Sequence, residues 1–173
     1  MRCLTSWLLD AFTGLRHTDG SSLVRLHGPR GTIDRGGPIT FAMADAAGGW
    51  IDVNRVERLA AQDGISLRTG CFRNPGAGEA AHGLTREQLR PWFGRSTPVP
   101  VEDLREGLRV AHDRVPAAVR VSVSLATNFS DVYRLVGFLQ HFLDAAVPAV
   151  EVPRVPFARS PEGASCPPGP TAA

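Results

Sequence analysis

Apolar residues recur every three or four positions in two long segments of the chain, the spacing of one face of an α-helix. The first segment runs from Met1 to His17, and the second follows Ser130. The apolar members of the first are Leu4, Trp7, Leu8, Ala11, Phe12 and Leu15, and those of the second are Val132, Leu135, Val136, Leu139, Phe142 and Leu143. Each segment is therefore predicted to be a helix whose apolar face needs a cover.

Helix-start residues predict the ends of the remaining helices. Asp52 is suited to cap a helix over residues 53–62, because its carboxylate can accept from the first free N–H groups. Thr85 and Gln88 have the spacing of a capping box, so a helix is predicted to begin there and to end near Phe93. A further helix is predicted over residues 101–112, and Ser130 is predicted to cap the last helix.

Between these helices lie four short apolar or β-branched segments that predict strands, namely Leu23–His27, Ile39–Ala44, Ile65–Leu67 and Val119–Leu125. Strands that alternate with helices favour an α/β fold, or an α+β sandwich, with one sheet packed on one side by helices. Residues 145–173 are rich in proline and have no periodicity, so they are predicted to form a disordered tail.

The segment 67–79 is predicted to be a loop, since it combines three glycines with a proline. It holds one thiol, Cys71, between the guanidiniums of Arg68 and Arg73. Cations stabilise a nearby thiolate, and cations beside loop N–H groups attract anions. The alternative is an ordinary strand-to-helix connection with an inert cysteine. His82, which follows in a polar segment, is predicted to be exposed.

The composition excludes several classes of function. The formal net charge is only +2 and the basic residues are scattered, so neither nucleic acid nor a membrane surface is an expected partner. The three cysteines and five histidines lack the spacing of a metal site or a disulfide framework. Asp10 interrupts the only leader-like apolar run, and no stretch is long enough to span a bilayer. A cytoplasmic protein without a metal is therefore expected.

Three segments resemble one enzyme family. Residues 68–77 (RTGCFRNPGA) resemble the active-site loop of class V aminotransferases, above all the molybdenum cofactor sulfurase and cysteine desulfurase branch. Residues 119–122 (VRVS) and 127–132 (TNFSDV) resemble that family's last strand and helix, and residues 23–29 (LVRLHGP) its first small-domain strand. The resemblance implies the small C-terminal domain of the type I pyridoxal-phosphate-dependent transferase fold, with residues 1–17 as a linker helix and 18–144 as the domain.

The resemblance also implies roles for individual residues. Arg120 corresponds to the arginine that grips the substrate's α-carboxylate, the alternatives being a structural ion pair or an exposed strand arginine. Arg68, Arg73 and Asn74 would line the substrate cleft. Cys71 is the candidate catalytic thiol, although the desulfurase cysteine corresponds to the place of Arg73. Two residues of extended chain span roughly 7 Å, enough to misplace a nucleophile.

Every one of the 19 Lys+Arg residues is arginine, so no side chain can form the Schiff base that anchors pyridoxal phosphate in this family. The sequence therefore favours a truncated domain, inactive alone, that needs a large domain or a homodimer partner to act on an amino-acid substrate. One alternative is a non-catalytic binding module that docks a partner through the Met1–His17 stripe and holds a carboxylate at Arg120. Another is sulfur transfer through Cys71.

Overall fold

The structure is a computed structural model that describes residues 1–70, 75–94, 97–112 and 117–145. These residues contain six helices and four strands. The helices are α1 (Arg2–Gly14), α2 (Val53–Gln62), α3 (Pro75–His82), α4 (Arg86–Phe93), α5 (Val101–His112) and α6 (Phe129–Gln140), and the strands are β1 (Val24–His27), β2 (Pro38–Met43), β3 (Arg68–Gly70) and β4 (Ala118–Ser122). Mixed helices and strands confirm the predicted α+β class.

The four strands form one antiparallel sheet in the order β1-β2-β4-β3. Successive side chains of a strand point to opposite faces, so the register fixes which residues share a face. Ile39, Phe41 and Met43 of β2 lie on the same face as Val119 and Val121 of β4, and all five are buried. We call this the inner face of the sheet.

Helices α1, α2 and α6 cover the inner face and complete the main hydrophobic core. The two helices predicted from periodicity alone, α1 and α6, contribute Leu8 and Phe12 from one and Leu135 and Leu139 from the other, each at most 6% exposed. The ring of Phe12 packs edge-on against Phe41, with 4.9 Å between ring centroids. Leu8, Phe12 and Leu15 of the predicted α1 stripe are thus buried within the chain, whereas Leu4, Trp7 and Ala11 are only partly buried.

Side-chain caps set the start of three helices. Asp52 accepts from the N–H of Asn54 at the start of α2, and Thr85 with Gln88 forms the predicted capping box of α4. The predicted cap of α6 is wrong. Asn128, not Ser130, caps that helix, since Asn128 and Asp131 exchange hydrogen bonds as a capping box and leave Ser130 inside the first turn.

Helix α1 ends at Gly14, three residues before the predicted end at His17. Leu15 adopts an extended conformation, and its carbonyl accepts from the N–H of Leu23 at 3.0 Å. His17 is then only 3% exposed, with its Nε2 3.0 Å from the carbonyl oxygen of Ala44 and its Nδ1 3.0 Å from the N–H of Asp144. A carbonyl only accepts and an amide N–H only donates, so these contacts select the Nε2–H tautomer and tie the segment after α1 to the segments that follow β2 and α6.

The third strand and the segment after it differ from the prediction. The N–H of Ile65 closes the end of α2 by donating to Ala60, so Ile65–Leu67 is not a strand and pairing starts only at Arg68. Residues 75–79, predicted as loop, form the first turns of α3. Strand β4 ends at Ser122 instead of Leu125, which is 95% exposed beyond it.

Helices lie on both faces of the sheet, not on one as predicted. His27 points to the outer face, opposite the core, and the ring of His82 from α3 packs against it with 5.1 Å between centroids. Ala42 also points outward, yet it is only 6% exposed. His82 itself is 7% exposed, so its predicted exposure is wrong.

Within the described ranges, no helix is long and apolar enough to cross a membrane. The same residues contain no group of His, Cys, Asp or Glu side chains that could hold a metal ion. The predicted proline-rich tail, apart from Ala145, lies outside the described residues.

Candidate anion-binding site

One cross-strand row on the outer face brings together residues from all four strands. His27 of β1 pairs with Thr40 of β2, Thr40 pairs with Arg120 of β4, and Arg120 pairs with Arg68 of β3. Directly opposite residues of antiparallel strands share a face, with Cβ atoms about 5 Å apart. The row therefore places two guanidiniums side by side at one end and an imidazole at the other.

Arg68 and Arg120 form a like-charged pair. Both are exposed, and neither guanidinium has a hydrogen bond or an ion pair among the described residues. Like charges directly opposite each other on a sheet are destabilising. A carboxylate between them would offset that repulsion. It would accept hydrogen bonds from both guanidiniums, because a guanidinium can donate two parallel hydrogen bonds to a carboxylate. The pair is therefore the candidate anion site on this face of the sheet.

A hydrogen bond made by the next residue, Thr69, on the inner face fixes the orientation of Arg68. Its neighbour Thr69 points the opposite way and donates its hydroxyl hydrogen to the carboxylate of Glu57 on α2. Because side chains alternate along a strand, this anchor on the inner face holds Arg68 on the outer face. A slip of β3 by one residue would break the Thr69 contact and remove Arg68 from the pair.

The imidazole end of the row is half-buried. Burial lowers the pKa of His27 below the usual value for histidine, and the positive charge of Arg25 on the same face of β1 lowers it further. Burial disfavours the charged form, and so does a nearby like charge. The neutral form of His27 is therefore favoured.

The lowered pKa of His27 predicts a loss of stability in acid. The unfolded chain binds this proton with a pKa of about 6.5, and the folded chain binds it less readily. The contribution is present above pH about 6.5 and is lost as the pH falls below that value. Urea unfolding at pH 7.5 and at pH 5 measures this loss. The free energy of unfolding should fall more from pH 7.5 to pH 5 in the wild-type protein than in the His27→Gln variant.

The control for this experiment is His141→Gln, which removes an exposed imidazole. The pH dependence of the control should match the wild type. The lowered pKa values of Asp19, Glu87 and Asp144 do not interfere, since these carboxylates stay ionised over the whole window. Equal pH dependence in wild type and His27→Gln would contradict the prediction.

The structure brings together two of the predicted site residues, Arg68 and Arg120. The other three, Cys71, Arg73 and Asn74, lie outside the described residues. Sequence reasoning missed Thr40, His27 and His82. The alternation of β1 and β2 already places His27 and Thr40 on the polar face of their strands, but their alignment with Arg120 depends on a strand register that a single sequence does not show.

The chain is similar to molybdenum cofactor sulfurases over most of its length. It is 30% identical to the sulfurase of Neosartorya fischeri over 152 residues, which cover 82% of this chain and 17% of that protein. It is 32% identical to the Drosophila melanogaster sulfurase over 142 residues, and 29% identical to the Aspergillus clavatus protein over 171 residues. The chain is a relative of the molybdenum cofactor sulfurases, a branch of the class V aminotransferases. No protein-family model matches it.

This sulfurase relative spans less than a fifth of the length of the curated sulfurases it matches. The resemblance found in the three sequence segments is thereby confirmed at the level of the family. Pyridoxal phosphate, the cofactor of that family, does not fit this chain as a covalent ligand. The cofactor's aldehyde needs a lysine amine, and the sequence holds arginine at every Lys+Arg position.

Proposed function

We propose that this chain supplies the carboxylate-binding part of a desulfurase-like or aminotransferase-like site, in which Arg120 and Arg68 hold the α-carboxylate of an amino acid. The observation that carries the proposal is the pair of directly opposed guanidiniums on the outer face, with no carboxylate partner among the described residues. The lysine that binds pyridoxal phosphate then belongs to another polypeptide segment. On this proposal the chain is the small C-terminal domain, binds an amino acid alone and turns none over.

The sequence similarity supports this proposal independently of the geometry. The relatives are named for sulfuration of the molybdenum cofactor, and the sulfurase-like segments 68–77 and 119–122 include the two arginines that the sheet aligns. Within the pair, Arg120 sits on the central strand β4 and has neighbours on both sides, whereas Arg68 sits on the edge strand. Arg120 is thus the better fixed of the two, and we assign it the larger share of the binding.

The alternative of a non-catalytic binding module shares the arginine pair. Three residues of its proposed docking stripe, Leu8, Phe12 and Leu15, are buried in the core, which leaves the partly buried Leu4, Trp7 and Ala11 for a partner. That alternative also predicts carboxylate binding, but without a reaction. The two functions differ in whether a lysine-bearing segment joins the chain, and both require that Arg120 binds a carboxylate.

Binding of L-cysteine, followed by nuclear magnetic resonance, tests the common requirement. L-cysteine should shift the Nε–H signals of Arg120 and Arg68, and cysteamine, which lacks only the carboxylate, should leave them unchanged. Hydrogen bonds to charged groups contribute about 1.5–3 kcal/mol, so Arg120→Gln should weaken L-cysteine binding by about tenfold or more.

The matched control is Arg58→Gln on α2, since Arg58 is also exposed and the charge change is the same. Its affinity for L-cysteine should equal that of the wild type. The proposal is overturned if cysteamine shifts the same signals as L-cysteine, or if Arg58→Gln weakens binding as much as Arg120→Gln does.

A further inference from the structure

A second cationic site lies at the other edge of the sheet, beside β1. A cavity of about 270 Å³ opens there. Its walls come from the end of α1, strand β1, the segment between them, the loop after β1, the residue after β2 and the turn before α2. The lining side chains with polar or aromatic groups are Thr13, Arg16, Ser22, Arg25, Arg30 and Trp50, and none of the lining residues is acidic.

The three arginines of this cavity form no ion pair with a described carboxylate. Arg16 donates to the carbonyl oxygen of Gly20 at 3.0 Å and to the hydroxyl oxygen of Ser22 at 3.3 Å, which fixes its direction. Because Ser22 accepts from Arg16, its own hydroxyl hydrogen is available to a ligand oxygen. Arg25 lies over the ring of Trp50, 5.7 Å from its centroid.

The loop that carries Arg30 is held in place by its own hydrogen bonds. The guanidinium of Arg35 donates to the carbonyl oxygens of Pro29 and Pro38, both at 2.7 Å. The first of these bonds fixes the residue immediately before Arg30, and the second ties the loop to the start of β2. Arg30 is therefore presented at the cavity by a braced loop, which reduces the entropy that a ligand would have to remove on binding.

We infer that this cavity binds the phosphate group of a small phosphate monoester. Three guanidiniums and a hydroxyl supply enough donors for the oxygens of a dianion, whereas one carboxylate would leave most of these donors unused. The cavity of about 270 Å³ has room for a phosphate group with a small organic group attached. No step of the proposed function uses this site.

The site is separate from the arginine pair on the outer face. The cavity borders β1, and Arg68 lies on β3 at the opposite edge of the four-stranded sheet. With strand spacings of about 4.8 Å, β3 lies roughly 14 Å from β1, and β4, which carries Arg120, lies roughly 10 Å from it. Residue-resolved signals therefore distinguish a ligand in the cavity from one at Arg68 and Arg120.

Titration with glycerol 3-phosphate, followed by nuclear magnetic resonance, tests the inference. The ester should shift the signals of Ser22, Arg25, Arg30 and the Trp50 indole N–H, and glycerol should shift none of them. Bound phosphate should also raise the measured pKa of His27, because it offsets the charge of nearby Arg25. A double variant, Arg25→Gln with Arg30→Gln, should bind the ester at least tenfold more weakly.

The control is a double variant with the same charge change at exposed helix positions, Arg58→Gln with Arg86→Gln, which should bind as the wild type does. Equal weakening in both double variants would show a general charge effect and overturn the inference. Shifts confined to Arg68 and Arg120 would overturn it as well. That result would still be consistent with an anion site at the arginine pair. The experiment therefore distinguishes failure of the cavity proposal from failure of the proposed function.

Discussion

Replacing Phe12 by alanine is expected to lower the free energy of unfolding by about 3–5 kcal/mol, the cost of deleting a fully buried phenylalanine. Phe12 has no exposed surface and packs against the equally buried Phe41 across the interface between α1 and the sheet. The free energy of unfolding of a native protein is about 5–15 kcal/mol, so this one substitution removes a large share of the total. Urea unfolding followed by circular dichroism measures the loss.

The matched control is Phe129→Ala at the start of α6. Phe129 is 52% exposed and contacts Trp7 with 4.9 Å between ring centroids. The Phe129→Ala variant therefore loses mainly an aromatic contact, which contributes about 1 kcal/mol to stability. Equal losses in the two variants would mean that α1 does not dock on the sheet. The prediction therefore also tests whether α1 belongs to the core of the domain or only leads into it, as the term linker helix implies.

Helix ends that depend on local chemistry were predictable from the sequence. Asp52 and Thr85 cap their helices because each side-chain oxygen reaches an N–H two or three residues ahead, and no distant residue is needed. The cap of α6 was assigned wrongly because Asn128 and Ser130 are both good capping residues. The reciprocal spacing of Asn128 and Asp131, which forms a capping box, is the signal that separates them.

The candidate site could be predicted in part. The resemblance of two segments identified Arg68 and Arg120, but nothing local shows that they lie opposite each other. Their pairing joins residues 52 positions apart in the chain, and β3 is only three residues long, too short for an alternating pattern to be visible. The burial of His82 was missed for a related reason, since it depends on α3 packing against His27 from a distant strand.

The second large effect is expected from Gly37→Ala, which should cost about 3 kcal/mol or more of stability. A Cβ atom on Gly37 would lie well inside van der Waals contact with the backbone carbonyl of Val123, where no side-chain rotation can relieve it. The carbonyl of Gly37 accepts from the N–H of Val123 at 3.1 Å and so extends the pairing of β2 with β4. Relief of the collision requires these two chain segments to separate.

Gly31→Ala in the same loop is the control, because a Cβ atom there meets no atom within 4 Å and its backbone is not in the left-handed region. The free energy of unfolding of that variant should lie within about 0.5 kcal/mol of the wild-type value. The comparison also bears on the anion site, since only the Pro38–Ser122 and Ile39–Val121 pairs lie between Gly37 and the Thr40–Arg120 pair. Gly37→Ala should therefore weaken L-cysteine binding even under conditions in which the variant stays folded. Unchanged binding in a strongly destabilised variant would show that the arginine pair keeps its geometry without this end of the sheet.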